Sequence, residues 1–111
     1  MEKGPSTYAE YWTSSYNEVE HYKHAKEFGF DKITDYSEYA MKFAKSEESG
    51  LKEFKRSDGS ICKYNSVTKE FIAISKEGKI ITYYKSSMKY FIHEWNKNGV
   101  EKIKGDWWWV N

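Results

Sequence analysis

The apolar positions along the chain change their period near residue 50. Upstream they recur at helical spacing, and Tyr16 to Phe28 reads as one helix ended by Gly29, a residue at ease in the left-handed conformation that closes helices. At about 100° per residue, His21, His24 and Phe28 fall on one face with Asn17 above them, whereas Lys23 and Lys26 point largely elsewhere. A second helix is predicted over TDYSEYAMKFAKSEE. There Tyr36, Tyr39, Ala40, Phe43 and Ala44 keep the period, and Asp35 with Glu38 reads as a capping box.

Downstream, short runs alternate with turn residues. LKEFKR, ICKY, FIAIS and KIITYYK are split by Ser57-Asp58-Gly59, by NSVTKE and by Lys76-Glu77-Gly78. Connections this short require antiparallel neighbours, so the second half is a meander sheet. In its last run, alternation puts Ile80, Thr82 and Tyr84 on one face and Ile81, Tyr83 and Lys85 on the other. Met88, Phe91, Ile92 and Trp95 then return to helical spacing, with Asn98-Gly99 as a stop. The tail VEKIKGDWWWVN either adds an edge strand or packs its tryptophans over the sheet. The fold class is α+β, with N-terminal helices packed on a four- or five-stranded antiparallel meander sheet.

A length of 111 residues suits a single domain. Residues 1–15, with Gly4 and Pro5, read as the end of a linker; 16–49 are helical, 50–86 form the sheet, and 87–111 hold a C-terminal helix and a Trp-rich tail. Aromatic residues make up 19% of the chain, too many for a disordered segment. A formal charge of +1, from 18 basic and 17 acidic residues, neither supports nor excludes a nucleic-acid partner. The single cysteine, Cys62, excludes an internal disulfide. No apolar run approaches the ~20 residues of a membrane span, and the N-terminus lacks signal-peptide order, so any export is arranged from outside this chain.

The stretch EHYKHAKEFGF carries two of the three histidines. Two readings fit: half-buried core residues with hydrogen-bonded nitrogens, or an acid–base pair, for which imidazoles are the natural groups. A zinc site from His21, His24 and His93 lacks both a cysteine pair and HExxH spacing, so no metal and no cofactor are expected. Thr82 and Tyr84 are either ordinary strand formers or a pair of hydroxyl donors. Lys63 and Lys85 are either solvated sheet lysines or phosphate ligands, and the three tryptophans either pack or stack on bases.

In combination, EHYKHAKEFGF, DYSEYAMKFA and DGSICKYNSVTKEFIAISKEGKIITYYK resemble the C-terminal toxin domains of bacterial polymorphic and contact-dependent inhibition systems. The group is the barnase, EndoU, colicin D and RelE-like nucleases, and the colicin D-like branch fits best. The resemblance spans about residues 17 to 86 and consists of several motifs in order: a His-bearing helix ending in Phe-Gly, a Tyr-Ala-Phe helix, a Thr-x-Glu-Phe and a final Gly-x-Ile-x-Thr-Tyr strand. It implies a metal-independent ribonuclease, commonly directed at tRNA and restrained by a cognate immunity protein. It further implies delivery as the C-terminal part of a larger secreted effector that acts in the target-cell cytoplasm.

For the site, the resemblance implies Lys23 and His24 on the helix, His21 where a basic residue is found, and Thr82 with Tyr84 on the strand. Lys63 and Lys85 are the candidate RNA-phosphate ligands. RNA carries its own nucleophile, so cleavage needs a base for the 2′-OH proton, an acid for the departing 5′-oxygen, and donors for the charge on phosphorus. His24 is the principal acid or base, and His21 is its partner or its orienting neighbour. Rival readings are a non-catalytic, aromatic-rich protein-binding module and a toxin of the same fold acting on DNA.

Overall fold

The computed structural model describes residues 11–13, 21–47 and 50–105. In chain order these form a 3-10 helix (Tyr22–Phe28), helix α1 (Ile33–Ala44), strands β1 (Leu51–Arg56), β2 (Ile61–Asn65), β3 (Glu70–Ile74) and β4 (Ile80–Lys85), helix α2 (Met88–Asn98) and strand β5 (Gly99–Lys104). The first four strands pair as an antiparallel meander. Strand β5 returns beside β1, giving five strands in the order β4-β3-β2-β1-β5. The open choice for the tail is thereby resolved as an edge strand for residues 99–104. Trp107, Trp108 and Trp109 lie outside the described residues, as does Asn17.

Helices cover both sides of this sheet. On one side Tyr36, Ala40 and Phe43 of α1 and Ala25 of the 3-10 helix pack on Leu51, Ile72, Ile80 and Tyr83. On the other, Phe91 of α2 packs on Phe54, Tyr64 and Phe71. Helix α2 starts where its sequence dictates, because the Ser87 hydroxyl accepts the Tyr90 N–H at 3.1 Å. Arg56 donates to Glu94 at 3.1 Å, tying the same helix to the β1 hairpin.

Three sequence expectations about the elements themselves are corrected. The first concerns helix type. Over Tyr22–Phe28 the N-terminal helix is 3-10, with three residues per turn, so Tyr22, Ala25 and Phe28 form the stripe packed on the core. Gly29 closes it at φ 83°, as its sequence position suggests. The second concerns α1, which begins two residues before the expected cap, with Lys32 at its N-terminus and no side-chain cap; the Asp35–Glu38 capping box is not formed. The earlier start puts Tyr36 where its hydroxyl donates to the Tyr83 carbonyl oxygen.

The third correction is in β4. Ile80 pairs with Ile74 but Thr82 pairs with Ala73, so one extra residue is inserted and the alternation is broken. Ile80 therefore joins Tyr83 on the α1 side, while Ile81 joins Tyr84 on the α2 side. Thr82, opposite Ala73, also lies on the α2 side.

Lys63 does not serve as a solvated phosphate ligand. It is 4% exposed, and its ammonium donates to the carbonyls of Ala44 and Ser46 at 2.8 Å and of Phe43 at 3.4 Å. These carbonyls lie at and just beyond the end of α1, where intrahelical donors run out; the Phe43 oxygen also accepts the Ser46 N–H at 3.1 Å, and the buried lysine serves the Ala44 and Ser46 oxygens at shorter range. Burial lowers its pKa from the ordinary lysine value, an effect opposed by Glu53, whose carboxylate lies 3.6 Å away. Lys63→Met keeps the apolar stem but strands those carbonyls, and should cost about 1–3 kcal/mol in a urea denaturation. An unchanged midpoint would show that Lys63 does not cap α1.

Candidate functional site

Strand β4 is one of the two outer strands of the sheet, and the 3-10 helix lies along it. A three-residue period stacks His21, His24 and Glu27 in a second row, beside the buried stripe. The rings of His21 and His24 are 5.9 Å apart between centroids. His21 stacks on buried Trp12 at 5.6 Å, and His24 reaches the Tyr84 ring at 5.2 Å. Trp12 is held in turn by its indole N–H on Ser37 Oγ at 2.9 Å. A continuous column, Trp12–His21–His24–Tyr84, thus runs across the edge of the sheet.

Glu27 fixes this column to the backbone. One carboxylate oxygen, Oε2, accepts from His24 Nδ1 at 2.9 Å, and the other, Oε1, accepts the backbone N–H of Lys85 at 3.0 Å. A carboxylate can only accept, so Nδ1 carries the proton in this contact. The neutral ring then has an unprotonated Nε2. His24 keeps 25% of its side chain exposed, enough for a substrate atom to approach.

Tyr84 donates from its hydroxyl to Tyr90 at 3.0 Å. Burial pushes its pKa well above the ordinary tyrosine value, and the bond to Tyr90 adds to that shift. It is therefore a neutral donor and a stacking surface, never a base near neutral pH. Lys85 is exposed, and its ammonium sits 5.5 Å over the Phe28 ring, beside the Glu27 contact.

The structure gathers His21, His24, Tyr84 and Lys85 and leaves the other sequence candidates apart. Lys23 is exposed one residue off the histidine row, about 120° around a 3-10 helix, and borders a depression with Tyr22, Lys26 and Asp31. Thr82 is half-buried on the Tyr84 side of the strand; among the described residues no hydrogen bond joins it to His24. Lys63 belongs to the end of α1, two strands in from β4. Burial pushes the Cys62 thiol up to about 12, which removes it as a nucleophile.

Three participants escaped the sequence reading: Glu27, Tyr90 and Trp12. Glu27 had a signal, because HYKHAKE repeats at three residues, but a period of 3.6 hides it. Tyr90 and Trp12 come from elements whose approach to the site only the folded chain reveals.

Among the described residues, no cluster of three or more His, Cys, Asp or Glu side chains is arranged to hold a metal ion, and no helix is long and apolar enough to cross a membrane. No family model matches the chain, and no curated protein matches its sequence.

The column requires an aromatic ring at position 84, not its hydroxyl. Tyr84→Phe should stay within about 1 kcal/mol of the parent in chemical denaturation. Tyr84→Ala, which strips a ring tilted against His24 and stacked on Phe71, should cost about 3 kcal/mol. Equal losses in the two variants would mean that the hydroxyl, rather than the ring, supports the site.

Proposed function

We propose that the protein is a metal-independent ribonuclease that cuts RNA, tRNA foremost, by transesterification at the 2′-hydroxyl. One observation carries the reading: His24, still open to solvent, has its Nδ1 on the Glu27 carboxylate at 2.9 Å with a second imidazole beside it. A carboxylate on one ring nitrogen sets the tautomer and stabilises the imidazolium that forms when the other nitrogen takes a proton.

In this mechanism His24 Nε2 removes the 2′-OH proton, and the 2′-oxygen attacks phosphorus. The bond to the 5′-oxygen breaks as His21, acting as acid, protonates it. The products are a 2′,3′-cyclic phosphate and a 5′-hydroxyl, with no metal required for either transfer. The Lys85 ammonium offsets charge gathering on the non-bridging oxygens. Tyr84 supports His24 at a tilt and, through Tyr90, supplies a hydroxyl network at the rim of the site. The resemblance of EHYKHAKEFGF and the strand series to toxin domains supports a biological setting: the payload of a larger secreted effector, active in a target cell's cytoplasm and blocked by a cognate immunity protein.

The test is incubation of the purified protein with total bacterial RNA in EDTA, read on a denaturing gel with probes for individual tRNAs. The expected result is a discrete fragment ending in a cyclic phosphate. His24→Ala should lower the rate ~10²–10⁴-fold while remaining folded, and Glu27→Gln should lower it by a smaller factor. Lys23→Ala, facing away, should stay within a few-fold of the parent. Fragments with 3′-hydroxyl ends, or activity only with a divalent metal, would overturn the mechanism; intact RNA beside cut DNA would move the activity to DNA.

A further inference from the structure

Next to the imidazole column, on the α1 side of the sheet, two depressions of about 330 and 550 Å³ share Tyr39, Thr68 and Glu70 and so make one cleft. Its wall is aromatic. Phe28, Phe30 and Tyr39 line it, the last two edge-on at 5.1 Å, and Tyr39 is 41% exposed. Three lysines stand among the lining residues, Lys42, Lys69 and Lys85, all exposed.

The floor has the opposite sign. Glu70 is 6% exposed and is the sole carboxylate among the described residues lining the cleft. Its Oε2 accepts the Tyr83 hydroxyl at 2.5 Å and its Oε1 accepts the Thr68 hydroxyl at 2.6 Å. A carboxylate offers about four acceptor positions, so capacity remains on each oxygen after these two bonds. Its neighbours hold the group still and leave it able to receive further donors.

The rim is preorganised as well. Asn65 Oδ1 accepts the N–H groups of Val67 and Thr68 at 2.8 and 3.1 Å, and Lys69 N–H returns to the Asn65 carbonyl at 2.7 Å. The same loop puts Lys69 at φ 71°, a left-handed position that glycine would occupy without strain.

We propose that this cleft is a subsite for one unpaired nucleobase of the RNA strand, adjacent to the scissile phosphate at His24, and that Glu70 selects a base bearing an exocyclic amino group. The inference rests on the ribonuclease reading for its connection to cleavage. Aromatic walls and lysine rims are the combination that holds single-stranded nucleic acid, with rings stacking on bases and ammoniums on phosphates. Cytosine, adenine and guanine each present an amino donor to a carboxylate. Uracil presents one N–H flanked by two carbonyl oxygens, which the carboxylate repels. Lys85 joins the two regions, since its backbone N–H bonds to Glu27 and its ammonium lies over Phe28 at the cleft wall. An acidic protein segment would also meet the lysines, but its carboxylates would oppose Glu70.

Cytidine and uridine 3′-monophosphates are the cleanest probes, because they match in size and differ in the amino group. In NMR titrations of the full chain, 3′-CMP should move the amide signals of Tyr39, Thr68 and Glu70 and bind about tenfold more tightly than 3′-UMP. Glu70→Gln should bring that ratio close to one, and Tyr39→Ala, at an exposed position, should weaken both nucleotides about tenfold. If Glu70→Gln does not fold, Tyr39→Ala and Lys42→Ala decide. Equal binding of the two nucleotides by the parent, shifts confined to other residues, or unchanged affinity in these two variants would overturn the subsite. RNA cleavage indifferent to the cleft variants would overturn it while leaving the nuclease. Selective 3′-CMP binding by a chain that leaves RNA intact would retain the cleft as a nucleotide site and remove the nuclease.

Discussion

Tyr83 is the side chain through which the N-terminal helices are fastened to the sheet. Its ring is fully buried and stacks on Phe28 at 4.6 Å and 8°, with Tyr36 and Phe43 within 5.5 and 6.1 Å. Its hydroxyl donates to Glu70, and its carbonyl oxygen accepts from Tyr36. Burial pushes both phenols far above the ordinary tyrosine value, so each remains a donor. Pairs of this kind contribute ~0.5–1.5 kcal/mol each beyond the area they bury, and Tyr83 makes several. The extra residue in β4 makes this arrangement possible, because it turns Ile80 and Tyr83 to the same side and leaves Tyr84 on the other.

With Phe28 seated on Tyr83, the 3-10 helix has one rotational setting, and that setting directs His21, His24 and Glu27 along β4. An outer strand exposes unpaired backbone donors and acceptors that invite association. Here the Thr13 N–H bonds to the Ile80 carbonyl at 3.0 Å, and Glu27 takes the Lys85 N–H. The carboxylate that covers the strand end also orients His24, so one side chain serves both the fold and the site. The same packing brings Glu70 to the floor of the lysine-rimmed cleft, on the α1 side of β4.

Much of the architecture was legible in the sequence. Short runs with Asp-Gly and Glu-Gly turns specified the meander, and Asn98-Gly99 marked the end of α2 because turn chemistry is local. The β4 bulge was not legible, since strict alternation over KIITYYK looks complete and only the pairing with β3 reveals the inserted residue. The helix period was misread for a related reason: Tyr22, Ala25 and Phe28 suit a three-residue repeat only when Tyr83 is in place to receive Phe28. At the candidate site, the sequence candidates His21, His24, Tyr84 and Lys85 come together. Lys63 was misassigned because a lysine in a strand looks solvated until the end of α1 is seen above it, and Glu27 went unnoticed because its role depends on a strand 58 residues away.

The functional account turns on Glu27 setting the tautomer of His24, and nitrogen-15 NMR of the labelled imidazole reads that tautomer directly, with His24→Ala supplying the assignment. The account predicts that neutral His24 carries its proton on Nδ1 and leaves Nε2 bare toward solvent. A neutral ring protonated mainly on Nε2 would contradict it, because the nitrogen facing the substrate would then have no lone pair with which to take the 2′-hydroxyl proton.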